Sequence, residues 1–392
     1  MDTPKLPPLP RFEDDDHGPA AARGRRELAE RSAGVSLVHV AGAPVDSRSA
    51  KGNVENLVGY VQVPLGLAGP LQVDTSAGRR EVYVPMATNE GALVASHARG
   101  MRLLAAGGGA RSRVIREGLT QIPMLVYDDA AGASRARELV AGLFPGWREH
   151  VAATTRHGAL VSARPEQLGR RLALRLEFTT GDAIGINMAA AAADHCSRSL
   201  ALASGARECH VHGEDVEKRA NARALIEGRG RSVVCDATIP RAALASLARA
   251  TPEQLVRVHR TYTVGFAQLG TQNWLVQSAN GLAAVLIACG QDAAYLTECA
   301  TGHLDLDLDA RGDLYACASL PSLLVGTVGG GSGKGTAAEC LGLLGCAGSG
   351  QANAFAEILG AVVLAGDLSL MAAFASGEFV AAHERLGRNR PI

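Results

Sequence analysis

Apolar and polar positions alternate with a period of two through LQVDTSAGRREVYVPMA (71–87), which predicts two strands around a Ser-Ala-Gly turn. The period then changes. From Glu90 to Ala106 the pattern is that of an Ala-rich helix, stopped by Gly107, Gly108 and Gly109. From about residue 123 the texture becomes β-α-β-α. PMLVYDD reads as a strand, ASRARELVAGLF as a helix, RLALRLEFTTGDA as a strand and INMAAAAADHCSRSLALAS as a helix, which together suggest a small α/β module inserted in a larger chain. A polar segment with a strand-like RSVVCDATI follows, and residues 241–392 read as mostly helix with glycine-rich breaks. RGRRELAERSA (23–33) predicts a short charged helix, and residues 1–22, rich in Pro, Asp and Gly, predict a disordered tail. No internal repeat is visible.

Composition narrows the class. With 47% apolar and 20% charged residues over 392 positions, the chain can bury a large core in two or three domains. Lys+Arg and Asp+Glu both number 39, so no charge excess favours nucleic acid as a partner. The eight cysteines show no disulfide spacing, which points to a reducing cytoplasm. No apolar signal core opens the chain. The longest charge-free run, WLVQSANGLAAVLIACGQ, is interrupted by Gln, Ser and Asn and predicts a buried helix rather than a membrane span.

Five stretches carry candidate chemistry. In PMATNEGALVASHARG a single carboxylate, Glu90, stands among small and apolar residues; it is either a local structural acid or a proton donor. TTGDAIGINMA (179–189) ends a strand and opens a helix, where Asp182 can cap, Gly185 lets a ligand approach the backbone, and the helix N-terminus suits a phosphate. An ordinary capped turn explains the same residues. VGTVGGGSGKGT (325–336) is no P-loop, because Gly335 follows Lys334 where Ser or Thr must hold magnesium. A glycine-rich nucleotide contact and a plain loop both remain open there. CHVHGEDVEK (209–218) lacks zinc spacing, so no metal is expected, but it places Lys218 in a polar loop. Asp292, after an apolar helix in IACGQDAAY, is a helix-end charge or a partner for a cation such as Lys218. His383, near the C-terminus, reads by itself as a solvated histidine.

Taken together, ENLVGYVQVPLGLAGPL, PMATNEGALVASHARG, GDAIGINM, EGRGRSVVC, ACGQDAA, LPSLLVGTVGGG and AGDLSLMAAFASGEFVAAH resemble the HMG-CoA reductase family, most closely its class I form, over about residues 52–385. The resemblance implies an α+β fold: a large domain (59–122 and 209–378) carrying an inserted small α/β, ferredoxin-like, NADP-binding domain (123–208). A helical N-terminal part (23–58) precedes them and a mobile C-terminal flap (379–392) follows. It implies that Glu90, Lys218, Asp292 and His383 are the catalytic quartet, with Asn89 where the family usually has Thr. It implies NADPH as cofactor, held by Asp182, Ala183, Gly185, Asn187, Met188, Gly329 and Gly330. An acyl-CoA thioester would be reduced twice, through a hemithioacetal and an aldehyde, with HMG-CoA the default substrate and mevalonate the product. Lys218 would stabilise the alkoxide, Glu90 would protonate the aldehyde oxygen, Asp292 would link the two, and His383 would protonate the CoA thiolate. The family also implies a homodimer or higher assembly with the active site between subunits.

The departures from the family cluster in the acyl pocket. Its arginine after the GMT turn is Gln121 here, its serine and asparagine are Val211 and Gly213, and an aspartate and a lysine flanking Lys218 are Glu217 and Arg219. A further lysine is Arg260, and of NAHAAN only Ala279 and Asn280 persist. Replacing a charged hydrogen bond by a neutral one typically costs about 1.5–3 kcal/mol. The same reductive mechanism on a different acyl thioester is therefore an alternative, and a non-catalytic paralogue that binds nucleotide or acyl-CoA is a third.

Overall fold

The computed structural model describes residues 5–377 apart from 14, 17 and 215. Among the described residues ten strands join in one sheet. Strands β1 (Leu65–Thr75) and β2 (Gly78–Ala87) form the hairpin that the alternation predicts. β3 (Ala110–Gln121) is the long connector. Its first part pairs with β8 (Gly230–Ile239), and its last three residues, Leu119 to Gln121, pair with β6 (Arg171–Thr179). β4 (Met124–Val126) continues the line of β3 along the same edge of β6 and pairs on its far side with β7 (Glu208–His210), while β5 (Ala159–Leu168) takes the other edge of β6, so this end of the sheet extends past residue 208. On the far side of β8 stand β10 (Leu314–Leu323) and β9 (His303–Leu308).

β9 and β10 lie in the region expected to be mostly helix. Their signal is nevertheless a period of two: Leu314, Ala316, Ala318 and Leu320 are buried, while Tyr315, Cys317 and Ser319 are partly exposed. Small Ala, Cys and Ser side chains disguise this alternation as helix-like composition.

Helix α1 (Pro19–Ala33) begins four residues before the expected start, with proline in its first turn where no donor is lost. The segment before it packs as well: Leu6 and Leu9 lie against Ala29, Tyr83 and Leu343, and the Leu6 amide donates to Glu81 at 2.9 Å. Helix α2 (Leu93–Ala106) starts three residues after Glu90. Helix α3 (Ala130–Thr154) runs through Pro145, ten residues past the expected end. Helix α4 (Ile186–Ser204) matches its prediction and packs on α3. The remaining helices are α5 (Ala222–Ile226), α6 (Arg241–Ala248), α7 (Pro252–Leu269), α8 (Ser278–Ala288), α9 (Leu296–Cys299), α10 (Gly335–Leu343) and α11 (Ala352–Ser376). α11 is largely apolar and is long enough to cross a membrane, but most of it is buried inside the protein, where it packs on α2, α8, β3 and β8. It is the central helix of the core.

His97 stands where α2, α8 and α11 meet, and it is fully buried. Its Nδ1 lies 3.1 Å from the Leu93 carbonyl, so the ring donates there and its Nε2 has no partner among the described residues. Nε2 faces Gly281 and Gly366, where any Cβ would overlap the ring. Burial pushes its pKa down to about 4. An unfolded imidazole titrates near about 6.5 and so takes up the proton first as pH falls. The stability associated with neutral His97 is thus fully present above that value and is lost progressively toward pH 4. In urea titrations the wild type should lose about 2–3 kcal/mol more than His97→Gln between pH 7 and pH 4.5. A difference between the two proteins that is independent of pH would remove His97 as the acid-sensitive group.

Candidate active site

Glu90 lies in the turn between β2 and α2, held by its own amide donating to Thr88 Oγ1 at 2.9 Å. Its carboxylate is exposed, and both oxygens accept from Asn280 Nδ2, at 3.0 and 2.8 Å. Asn280 projects from the first turn of α8. The local sequence around Glu90 and around Asn280 carries no sign of this pairing.

Lys218 has φ of +58°, a left-handed conformation that costs a non-glycine residue about 1–2 kcal/mol. Such a residue persists only when its surroundings over-determine it. Three groups from one short segment do so. Asp292 Oδ2 lies 3.1 Å from Lys218 Nζ, the Tyr295 ring centre lies 5.0 Å from it, and Glu298 Oε1 accepts the Lys218 backbone N–H at 2.5 Å. Asp292 also caps the turn that begins the segment, by accepting from the Ala294 amide at 3.0 Å. The expected Lys218–Asp292 pair therefore forms. The expected bridge onward from Asp292 to Glu90 does not: among the described residues no hydrogen bond or ion pair joins them, and each carboxylate serves its own partner.

Beneath Lys218 runs a buried polar chain. Arg229, 2% exposed, donates to both oxygens of the fully buried Glu298 at 3.0 Å and to Glu217 Oε1 at 3.2 Å, while its Nε reaches the Thr120 carbonyl at 3.2 Å. Burial pushes the Glu298 pKa up, and the Arg229 charge opposes that rise. The Tyr295 hydroxyl, raised by burial and then by the charge of Glu217, donates to Glu217 Oε2 at 3.4 Å. Removing one member of a buried ion pair typically costs about 3–5 kcal/mol, so this chain is a rigid floor. The sequence reading missed Glu298, Arg229 and Tyr295. One signal was available: Glu298 is the lone acid in the otherwise uncharged stretch AAYLTECATG.

The residues assigned to the acyl pocket divide into two sets. Gln121, 2% exposed, donates its amide to Glu217 at 2.7 Å, so both side chains belong to the floor and not to an open surface. Val211 packs on the core, and a Cβ at Gly213 would overlap the Met124 backbone and side chain, so no larger residue fits there without movement of β4. Arg219, next to Lys218, and Arg260, on α7, are exposed cations.

The cofactor candidates meet at the start of α4. Asp182 does not cap that helix. Its carboxylate accepts instead from the Gly350 and Ala352 amides, at 2.7 and 3.2 Å, and so caps α11 from outside. Its carbonyl takes the Thr327 amide at 2.9 Å. Gly185, at φ +82°, is required by contact with the Thr180 side chain rather than by open space. α4 has no side-chain cap, however, and Asn187 in its first turn is exposed. Ala183 and Met188 are partly buried beside it. Gly329 and Gly330, at φ +79° and +56°, have nothing within 4 Å of an added Cβ. His383 lies outside the described residues.

Asp182→Ala should lower unfolding stability by about 1–2 kcal/mol through loss of the α11 cap, and Asp182→Asn by less. Chemical denaturation of the cofactor-free protein measures this directly. An unchanged midpoint for the alanine variant would show that the cap contributes nothing.

The family model described as hydroxymethylglutaryl-coenzyme A reductase matches residues 21–388. The 3-hydroxy-3-methylglutaryl-coenzyme A reductase of Methanothermobacter thermautotrophicus is 40% identical over 96% of both chains, and that of Aeropyrum pernix is 40% identical over 94% of this chain and 90% of its own. The solved class II 3-hydroxy-3-methylglutaryl-CoA reductase of Streptococcus pneumoniae bound to NADPH superposes with a TM-score of 0.74 at 21% identity, covering 90% of this chain and 97% of that one, a likeness of fold. With the motif residues gathered in two polar clusters on that fold, the chain belongs to the hydroxymethylglutaryl-coenzyme A reductase family.

Proposed function

We propose that this chain is an NADPH-dependent oxidoreductase that reduces the thioester of HMG-CoA to mevalonate, through a hemithioacetal and an aldehyde. The observation that carries the reading is the Lys218–Asp292 pair, at 3.1 Å and half-exposed over a buried polar floor. A fixed cation at the surface of a rigid site is suited to stabilise an oxygen that gains negative charge as a thioester carbonyl or aldehyde is reduced. Asp292 orients Nζ. Glu90, held through both oxygens by Asn280, is the proton donor to the aldehyde oxygen. His383 is assigned the protonation of the departing CoA thiolate on its sequence position alone.

The residues present fit the nicotinamide dinucleotide. The uncapped first turn of α4 leaves backbone N–H groups for a phosphate, and the open backbone at Gly329 and Gly330 leaves room beside it. When bound, NADPH supplies one hydride to each of the two reductions. Gly185, Asn187 and Met188 would hold it at the α4 terminus, in the segment 123–208, while Asp182 and Ala183 shape the turn. Arg219 and Arg260 offer cationic groups for the acyl carboxylate or the CoA phosphates.

The site is completed by a second copy of the chain. Within one chain the Glu90–Asn280 and Lys218–Asp292 pairs are separate, and Val54, Val58, Tyr60 and Val61 form an exposed apolar run of the kind that a partner covers. Eight free cysteines, six of them buried, support a reducing cytoplasmic setting.

NADPH oxidation against a panel of acyl-CoAs, with identification of mevalonate as product, tests the reading. HMG-CoA should be the preferred substrate; turnover confined to another thioester would replace the substrate while keeping the mechanism, and no turnover at all would end it. Glu90→Gln and Lys218→Ala should each be inactive as pure proteins. Co-expressed, they should recover about a quarter of wild-type activity, since random pairing makes half the dimers mixed and each mixed dimer holds one intact site. Failure to recover activity would place Glu90 and Lys218 of one site in the same chain.

A further inference from the structure

Asp292, Tyr295 and Glu298 are spaced three residues apart on a 3₁₀ turn that runs into α9, so all three face one side. That side is occupied by Lys218. Asp292 holds the ammonium, the Tyr295 ring lies beneath it, and Glu298 holds the backbone N–H at the other end of the same residue. The first two contacts restrain a flexible four-carbon side chain and leave the backbone free to turn. Only the third acts on the left-handed φ from which the side chain departs. Glu298 is itself fixed, because Arg229 donates to both of its oxygens at 3.0 Å and both residues are buried.

Resting on the functional reading above, we infer that Glu298 is a positioning residue for the reaction: its carboxylate locks the backbone of Lys218 in the left-handed conformation that carries Nζ to Asp292. Without this acceptor the Lys218 amide is free to turn toward water and the residue relaxes to an ordinary φ. Nζ is then displaced from Asp292 while the bulk of the substrate and cofactor surface stays in place. The signature is a loss of turnover rather than of binding.

The chain has four lysines, Lys5, Lys51, Lys218 and Lys334, so uniform ¹⁵N-lysine labelling gives four backbone amide signals. Lys218→Arg identifies the one that matters. In the wild type the Lys218 amide proton should lie downfield of the other three, as a charge-assisted hydrogen bond requires. Glu298→Ala should move it upfield and lower kcat by about a hundredfold, with KM for NADPH and for the thioester changed by no more than about twofold. Glu298→Gln retains an acceptor oxygen of the same reach, so the amide signal should stay and kcat should remain within about fivefold of wild type. If Glu298→Ala fails to fold because Arg229 is stranded, Glu298→Ala with Arg229→Met removes that cation and carries the same expectations. An amide signal that does not move in the alanine variants, or one that moves while kcat is unchanged, would overturn the inference. A wild-type protein inactive on every thioester would sink the functional reading, while the amide signals would still judge the contact.

Discussion

Two carboxylates buried in an apolar helix set the terms for the rest of this fold. Glu357 and Asp367 of α11 are both fully buried, and a buried carboxylate is tolerated only when donors surround it. Each takes its donors from other parts of the chain. Glu357 accepts from the amide and hydroxyl of Ser76, in the β1–β2 turn, at 2.8 and 3.0 Å, and from the Val114 amide in β3 at 2.9 Å. Asp367 accepts from the Val276 and Gln277 amides at 3.0 and 2.7 Å, at the entry to α8. Burial pushes the Asp367 pKa up to about 7, and those two amides oppose the rise. Ser369 adds Arg99 of α2, whose guanidinium reaches its hydroxyl and carbonyl at 3.0 and 2.7 Å. α11 is thus the axis on which the hairpin, the connector strand and two helices are registered.

The site inherits its geometry from that axis. Asp182 joins the candidate cofactor turn to the first turn of α11, and Arg231 of β8 ties the same region together by donating to Asn353 and to the Val325 carbonyl, at 2.7 and 2.8 Å. Asp367 fixes the start of α8, one turn before Asn280 meets Glu90. A change at Asp367 or Asp182 therefore acts on the proposed site through helix placement.

Most of this frame was legible in the sequence where a local period carries the signal. The β1–β2 hairpin, α4 and the strand RSVVCDATI follow from alternation or helical spacing, and the motifs identify Lys218 and Asp292 as partners. The failures share one cause. The α11 cap joins residues 168 and 170 apart, Asn280 and Glu90 are 190 apart, and Lys218 and Glu298 are 80 apart. Local pattern does not encode such pairs. Asp182 illustrates the difference: a residue of capping type at a strand-helix turn does cap a helix, but the helix lies elsewhere in the chain. Gln121 is a second case. It reads as a lost pocket cation, while the fold shows a buried amide committed to Glu217.

α8 links the two halves of the proposed site and keeps them apart. Asn280 stands in its first turn, and Asp292 follows its last residue by four positions. From Asn280 to Ala288 the helix rises about 12 Å, which is too far for Glu90 and Lys218 to be joined through a single side chain. Each end of the helix carries one electrostatic pair, so in the proposed dimer a complete site combines the head of one α8 with the tail of another. The length of α8 then becomes part of the catalytic geometry, since inserting or removing one residue would rotate Asn280 by about 100° relative to Asp292. His97 opposes such slippage. It is wedged against Gly281, the residue after Asn280, and against Gly366, the residue before Asp367, so that α8 and α11 meet at a contact with no room to slide.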